Sequence, residues 1–328
     1  MFISLQDLKI MTKVDITIAI CTYNRSNLLI KCLDSLLPQL SEKIEIIVID
    51  NNSSDNTADA IKEYTTNYQN IRYVFEKSIG LSHARNLGIN ESKADWILYL
   101  DDDAIAFPDF VERGLYLVKR GDFDCVGGMY YGYFDGARPK WLPHDFGTKI
   151  KYSDSLTECP HHIPSGGIIL YRKVIFEHIG LFDFNLGMKQ NSIFYGEETE
   201  LQKRLFINNY KIGFDPELKI YHLIKRTTVI SQLIQQFKKG FSVGHYEHRR
   251  IVLLFLNLIY SIFGLFIKRT PKNLYKLVFI RNYYFQNFIL ENFNPIFYYS
   301  GYISKMFYKS KNIFQLHINI KAYKINKS

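Results

Sequence analysis

The sequence has few cysteines and lacks the features that mark an exported protein or one with a structural zinc site. Its four cysteines, Cys21, Cys32, Cys125 and Cys159, form no C-x-x-C pair and no zinc-binding spacing. Residues 1–14 contain no apolar stretch like that of a signal peptide, so we expect no export. These absences predict free thiols in a reducing compartment.

A glycine-rich phosphate loop is also missing from the first half of the chain. Neither G-x-G-x-x-G nor a P-loop lysine occurs there, which argues against dinucleotide dehydrogenases and P-loop kinases. If the protein binds a diphosphate group, a metal ion and hydrogen-bond donors from separate parts of the chain would have to hold it. Arg25 and Arg85 are candidates for those donors.

Long apolar runs are scarce, although the chain is not polar. Hydrophobic residues make up 47% of its 328 residues, enough for one large α/β domain and an appendage. No run of eighteen apolar residues occurs, and the nearest, residues 251–267, has seventeen without a charge. That length is marginal for crossing a bilayer.

Acidic residues almost disappear from the last third of the chain. From Lys219 onward there are 18 of the 41 Lys and Arg residues but only two acids, Glu247 and Glu291. A basic tail rich in aromatic and apolar residues suits an anionic membrane surface, and a solvated basic face is the alternative. We expect no nucleic-acid partner, because long apolar stretches rather than Gly and Ser separate the charges.

Strands alternate with helices over residues 15–101, which predicts β-α-β units in a mostly parallel sheet flanked by helices. The predicted strands are 15–21, 44–49, 71–75 and 96–100. The predicted helices are 26–37, 55–64 and 81–89. After Phe110 the alternation weakens, and we predict strands at 125–133, 163–171, 211–214 and 219–222, a helix at 197–207, and helices beyond Thr227.

Polar side chains follow three of the predicted strands. These clusters are Thr22-Tyr23-Asn24-Arg25, Asp50-Asn51-Asn52-Ser53 and Asp101-Asp102-Asp103. Because ligands bind beyond the carboxyl ends of parallel strands, we expect the three clusters to open on one crevice. Three adjacent carboxylates repel one another unless a cation lies between them, and oxygen ligands suit Mg²⁺ or Mn²⁺. A solvated acidic turn is the alternative.

A series of motifs in a fixed order resembles glycosyltransferase family 2. The series covers about residues 14–225 and consists of C-T-Y-N-R at 21–25, D-N-N-S-S-D at 50–55, G-L-S-H-A-R-N at 80–86, L-D-D-D at 100–103, Gly166-Gly167, and Y-G-E-E at 195–198. The resemblance implies a GT-A fold, a nucleotide-sugar donor, a divalent ion and inversion at the anomeric carbon.

The resemblance also assigns residues to the donor and metal sites. Tyr23 and its neighbours would line the base pocket, and Asp50 and Asn51 would lie near the base and ribose. A UDP-sugar is the expected donor, although Asn51 stands where many relatives have a second Asp, which leaves the base open. Asp101 and Asp103 match the outer acids of the D-x-D motif. His222 matches a further metal ligand of some relatives, or is an ordinary histidine at a strand end.

The two glutamates that begin the helix at 197–207 are the candidate catalytic residues. Glu198 matches the family's base position, and the helix dipole is expected to favour its ionised form. Glu197 is the neighbouring candidate and would otherwise bind the acceptor. Acids are also frequent at helix starts for structural reasons alone.

The sequence therefore predicts a GT-A catalytic domain over residues 1–225, with a nucleotide-sugar half at about 14–125 and an acceptor half at about 126–225. Residues 226–328 would form a helical membrane-associating or capping extension. The processive synthases' Gln-x-x-Arg-Trp motif is missing from residues 235–239, so we expect one sugar per encounter. The acceptor would be a saccharide or lipid-linked saccharide, at the cytoplasmic face of a membrane.

Two alternatives belong to other functional classes. A sugar nucleotidyltransferase would use a similar sheet and metal, but it normally has a glycine-rich basic loop after its first strand, which residues 21–25 do not resemble. A non-catalytic protein that binds sugar nucleotides or lipids would have lost its acids, whereas the acids here are present.

Overall fold

The centre of the protein consists of strands that are buried on both faces. Nearly every residue of β1 (Ile16–Thr22) and β2 (Ile44–Asp50) is buried, as expected where helices cover both sides of a sheet. A computed structural model describes residues 13–148, 151–159, 167–188, 196–225, 227–246 and 251–325. Tyr195 and residues 163–166, which include Gly166 and the start of one predicted strand, lie outside these ranges.

One mixed sheet contains nine strands among the described residues. The other seven strands are β3 (Ile71–Phe75), β4 (Trp96–Leu100), β5 (Ala104–Ala106), β6 (Cys125–Tyr133), β7 (Thr157–Glu158), β8 (Ile168–Arg172) and β9 (Ile212–Leu223). Their order is β3-β2-β1-β4-β8-β6-β9-β5, with β7 beside β9. The four strands from β3 to β4 are parallel, and β8 runs antiparallel between β4 and β6.

Amphipathic helices cover the two faces of this sheet. They are α1 (Ser26–Leu36), α2 (Thr57–Asn67), α3 (Leu81–Glu91), α4 (Phe110–Arg120), α5 (Ile175–Ile179) and α6 (Glu197–Ile207). In α1 the buried apolar side chains recur at helical spacing, at Leu29, Leu33 and Leu36. Helix α4 ends where Gly121 adopts a left-handed conformation with φ 63°. The predicted α/β fold with a largely parallel sheet and flanking helices is confirmed.

The structure corrects two details of the sequence prediction. Helices α4 and α5 and the short strands β5 and β7 were not predicted, because the alternation of strands and helices weakens after the acidic cluster. The two predicted strands at 211–214 and 219–222 are one continuous strand, β9. Gly128 of β6 pairs with Asp215, and the next residue, Met129, pairs with Lys219. The pairing therefore shifts past residues 216–218 of β9.

The chain divides into two compact units. One comprises residues 1–133, 147–184 and 197–223 and holds the sheet; the other comprises residues 134–146, 185–196 and 224–328. The helices of the second unit are α7 (Val229–Tyr246), α8 (Ile251–Gly264), α9 (Thr270–Phe279) and α10 (Phe285–Ile325). Within it α7 and α10 pack closely at glycines: a Cβ on Gly240 would lie 1.9 Å from the carbonyl oxygen of Tyr298.

Helices α8 and α9 are joined by a π-helical turn, Leu265–Arg269, and so form one continuous helix. Of the described helices, this one, over Val252–Phe279, is long and apolar enough to cross a membrane by length and composition. The uncharged run at 251–267 thus continues into a longer helix. Its exposed large apolar side chains include Leu256, Tyr260, Phe263, Phe266, Ile267, Tyr275, Val278 and Phe279.

Gly128 is expected to be essential for stability at the register shift. A Cβ there would lie 2.2 Å from the carbonyl oxygen of Leu218 and 2.7 Å from Ile168 Cδ1. We predict that Gly128→Ala lowers the free energy of unfolding by about 1–3 kcal/mol, measured by urea denaturation. Gly264→Ala is the control, because its Cβ would meet nothing closer than 4.0 Å. Equal stability of the two variants would contradict this packing.

Candidate active site

The polar ends of three strands meet at one edge of the sheet, as expected. Thr22 lies opposite Asp50 in the ladder of β1 and β2, and β4 runs parallel to β1 on its other side. The Thr22 hydroxyl donates a hydrogen bond to Asp102 Oδ2 at 2.9 Å. The acidic cluster that follows β4 is thereby tied to the end of β1. All residues of this site belong to the unit that holds the sheet.

Asp101, Asp103 and His222 form a cluster of potential metal ligands. One ligand atom from each lies within 4.8 Å of the others. His222 Nε2 is 3.3 Å from Asp101 Oδ2 and 3.3 Å from Asp103 Oδ1. The antiparallel pairing of β5 with β9, in which Ala104 faces His222, explains why a histidine so far along the chain reaches the acids.

Gly167 packs against this cluster. A Cβ on Gly167 would lie 2.9 Å from Asp101 Oδ2 and 3.5 Å from His222 Cδ2. The Asp101 backbone N–H donates to the Gly167 carbonyl oxygen at 3.2 Å. The missing side chain of Gly167 therefore leaves room for the Asp101 carboxylate.

The three acids have different surroundings. Burial opposes ionisation of Asp101, but the hydrogen bond and charge of His222 outweigh it and lower the pKa of Asp101. Asp102 points to the interior, where it accepts hydrogen bonds from Thr22 and from Arg25 Nη1 at 2.9 Å. Burial raises the pKa of Asp102 to about 6 although Arg25 favours its charged form. Asp102 thus contacts protein groups, while Asp101 and Asp103 face His222.

The other two carboxylates of the site begin helix α6. Glu197 is buried, with 4% of its side chain exposed, and its Oε1 lies 2.7 Å from Arg85 Nη1. Glu198 is 25% exposed, and its Oε2 lies 3.8 Å from the same nitrogen. Arg85 Nη2 also lies 3.9 Å from Asp101 Oδ1. A single guanidinium group therefore stands between the metal-ligand cluster and the two glutamates.

Burial and the charge of Glu197 raise the pKa of Glu198 to about 8. Burial and Glu197 therefore act against the expected effect of the helix dipole, which favours the ionised form. A dipole at the first turn of a helix contributes about 1 kcal/mol or less at exposed sites, and desolvation outweighs it here. The raised pKa makes the Glu198 carboxylate a stronger base than a solvated one.

Asp50 and Asn51 fix the backbone around the expected nucleotide pocket. Asp50 accepts hydrogen bonds from the Ser53 backbone N–H at 2.9 Å and from the Tyr73 hydroxyl at 2.7 Å. The Asn51 amide donates to the Ser78 carbonyl at 2.7 Å and accepts from the Gly80 N–H at 2.7 Å. Both side chains are buried, and their hydrogen bonds join the ends of neighbouring elements of the sheet and its loops.

The loop after β1 places its side chains on two sides. Asn24 has a left-handed backbone with φ 52°, and its Oδ1 accepts from the Ser54 N–H at 2.7 Å. Tyr23 is half-buried. Arg25 is half-buried between Asp102 and Asp103, with its Nη1 3.6 Å from Asp103 Oδ2. Arg25 therefore adjoins the metal-ligand cluster.

Sequence reasoning missed the residues that hold Arg85. Its guanidinium carbon lies 5.6 Å from the centre of the Tyr99 ring and 5.4 Å from that of Phe182. Asn86 holds Phe182 by two hydrogen bonds to its backbone, both 2.9 Å long. Asn86 could have been suspected, since it ends the G-L-S-H-A-R-N motif, but no sequence signal marks Phe182.

The residues present fit a divalent cation. Two carboxylates and an imidazole form a donor set suited to Mn²⁺ or Mg²⁺. Near neutral pH the raised pKa of Glu198 leaves that group mostly protonated, and the other four acids of the acidic cluster and of α6 stand against the two guanidinium groups of Arg25 and Arg85. An additional positive charge would balance this cluster. The donor set and the excess of negative charge thus both fit a divalent cation.

The family pattern described as Glycosyl transferase family 2 matches residues 17–180, half of the chain. Glycosyltransferase GlyA of Streptococcus pneumoniae serotype 4 is 33% identical over 118 residues, 36% of this chain and 17% of GlyA. Glycosyltransferase AglE of Haloferax volcanii is 24% identical over 202 residues, 61% of this chain and 64% of AglE. The chain thus spans less than two thirds of the length of these relatives.

Two solved structures share the fold. Mannosyltransferase PcManGT from Pyrobaculum calidifontis, in complex with GDP-Man and Mn²⁺, aligns with a TM-score of 0.52 at 14% identity, over 88% of this chain and 69% of that one. GalNAc-T7 with UDP, GalNAc and Mn²⁺ aligns with a TM-score of 0.51 at 16% identity, over 71% and 50%. The predicted GT-A fold is confirmed, and by its family pattern the chain belongs to glycosyltransferase family 2.

Proposed function

We propose that this protein is a metal-dependent, inverting glycosyltransferase that moves one sugar per encounter from a nucleotide-diphosphate sugar to an acceptor hydroxyl. The acceptor is a saccharide or a lipid-linked saccharide, in polysaccharide or glycolipid biosynthesis. The observation that carries the proposal is that Arg85 lies 3.9 Å from Asp101 of the metal-ligand cluster and also contacts Glu197 and Glu198. Family membership supports this function over a sugar nucleotidyltransferase.

The transfer is a single displacement. Glu198 accepts the proton of the acceptor hydroxyl as the oxygen attacks the anomeric carbon of the donor sugar. The bond between that carbon and the phosphate oxygen breaks, and the nucleoside diphosphate leaves with the bonding electrons. Attack from the face opposite the leaving group inverts the anomeric carbon. The partial exposure of Glu198 and its raised pKa support this assignment.

The donor is expected beyond the ends of β1, β2 and β4. Asp101, Asp103 and His222 would hold Mn²⁺ or Mg²⁺, which supplies positive charge against the diphosphate. Arg25, beside Asp103, is placed to add a second cation there. PcManGT was solved with GDP-Man and GalNAc-T7 with UDP, so proteins of this fold bind different bases. For this protein we propose a UDP-sugar.

The second unit is proposed to bind the inner face of a membrane. The continuous helix over Val252–Phe279 exposes many large apolar side chains and contains Lys268, Arg269, Lys272 and Lys276 but no acid. Apolar insertion and attraction to anionic headgroups would then act together. This supports a cytoplasmic enzyme that is peripheral to the membrane and meets lipid-linked acceptors there.

Loss of the base is expected to stop transfer without stopping donor binding. We predict that Glu198→Gln lowers kcat by about 10²–10⁴-fold, the usual contribution of a general base. Because the base must be ionised and the pKa of Glu198 is raised to about 8, kcat/KM of the wild-type protein should rise with pH and level off above that value. Released nucleoside diphosphate measures both.

Glu200→Gln is the matched control, since Glu200 lies on the same helix and pairs with Arg204 at 2.7 Å. It should retain the wild-type rate and pH profile. Unchanged turnover in Glu198→Gln, or a flat pH profile in the wild type, would remove Glu198 from the mechanism.

The metal site can be tested by Mn²⁺ binding as well as by activity. We predict that Asp103→Asn weakens Mn²⁺ binding by at least about tenfold in a calorimetric titration, and that EDTA abolishes transfer. Asp109→Asn, which alters an exposed carboxylate outside the cluster, should bind Mn²⁺ like the wild type. Full activity in EDTA would contradict the proposal.

Membrane binding is expected to depend on anionic lipid. Neutralising Lys268 and Lys272 to Gln should weaken sedimentation with phosphatidylserine-containing vesicles by about 1 kcal/mol per residue. Lys31→Gln with Lys62→Gln changes the same charge on exposed positions of the other unit and should have little effect. Equal binding of the wild type to neutral and anionic vesicles would contradict the electrostatic part of the proposal.

A further inference from the structure

Arg85 occupies a position unlike that expected of a phosphate-binding residue. Its side chain is only 5% exposed, although it lies beside a crevice that should admit a charged donor. The guanidinium group is held between the rings of Tyr99 and Phe182. The Tyr99 hydroxyl also donates to the Arg85 carbonyl oxygen at 2.6 Å. Both the backbone and the side chain of Arg85 are therefore fixed.

The partners of this guanidinium group are the carboxylates of the site. It contacts Glu197 at 2.7 Å, Glu198 at 3.8 Å and Asp101 at 3.9 Å. A buried arginine keeps its charge, so it must be compensated by nearby carboxylates. The short, buried contact to Glu197 supplies that compensation. Glu198 approaches Nη1 and Asp101 approaches Nη2 at longer distances, and both side chains are partly exposed.

We propose that Arg85 is a positioning residue: it commits Glu197 to an internal ion pair and fixes Glu198 relative to Asp101. This proposal rests on the proposed function, and it separates the work of the two adjacent glutamates. Glu197 anchors the start of helix α6, and Glu198 meets the acceptor. The distance between base and donor is then set by one rigid guanidinium fork, whose planar geometry lysine does not reproduce.

The support around Arg85 agrees with this role. Asn86 pairs with both backbone groups of Phe182, much as a neighbouring strand would, and so keeps the ring against the guanidinium group. To bind a phosphate, Arg85 would have to leave its contacts with Glu197 and with the rings of Tyr99 and Phe182. Arg25, which is half-buried beside Asp103, is better placed for the phosphate.

The test compares Arg85→Met with Arg25→Met in the full-length protein. For Arg85→Met we expect kcat to fall about 100-fold, as for a misplaced catalytic group, with the Kd for nucleoside diphosphate and Mn²⁺ unchanged within about threefold. For Arg25→Met we expect the Kd to rise instead. A rise in Kd for Arg85→Met, or an unchanged kcat, would overturn the proposal.

Further variants guard against a purely structural effect. Arg113→Lys alters another arginine paired with a buried carboxylate, Asp215, at 2.6 Å, and should lower stability without the loss of kcat. Arg85→Met combined with Glu197→Gln should lower kcat no more than Arg85→Met alone, because both changes break one contact. Additive losses would contradict the shared contact. If Arg85→Met does not fold, Arg85→Lys is read by the same criteria, since it keeps the cation but not the fork.

The outcome for this proposal is distinguishable from that for the function. A wild-type protein that releases no nucleoside diphosphate from any donor tested with Mn²⁺ and acceptor would refute the proposed function. An active wild type in which Arg85→Met loses donor affinity would refute only the positioning role.

Discussion

The site depends on crowded negative charge. The acids after β4 and the glutamates that open α6 bring five carboxylates together, and each must be compensated or remain protonated. Arg25 compensates Asp102 and approaches Asp103, while Arg85 compensates Glu197. What is left uncompensated defines the chemistry: a cluster suited to a divalent cation, and a carboxyl group whose pKa is raised.

The sheet makes this crowding possible. Parallel pairing brings the ends of β1, β2 and β4 to one edge, and the short antiparallel pair of β5 with β9 returns His222 to the acids. Buried apolar strands can hold such an arrangement because their own backbone polar groups are satisfied within the sheet. The loops then need only short hydrogen bonds, such as those of Asn51, to complete the crevice.

Local sequence patterns predicted the first half of the fold well. Alternating apolar strands and amphipathic helices have periods that can be read directly, and strands β3 and β4 have the predicted bounds. The continuity of β9 could not be read, because Pro216 lies within it and residues 216–218 have no partner in the ladder with β6. The surroundings of Arg85 were equally hidden, since Phe182 reaches it only through the tertiary fold. The motifs located the candidate site, but not which carboxylate each cation contacts.

The π-helical turn between α8 and α9 has a further consequence. Such a turn accommodates one residue more than a regular α-helical turn, and each residue in an α-helix advances by about 100° around the axis. Deleting one residue from Leu265–Arg269 would restore regular pitch and rotate the whole of α9 against α8. The direction in which Lys272 and Lys276 point relative to α8 therefore depends on the one extra residue in this turn.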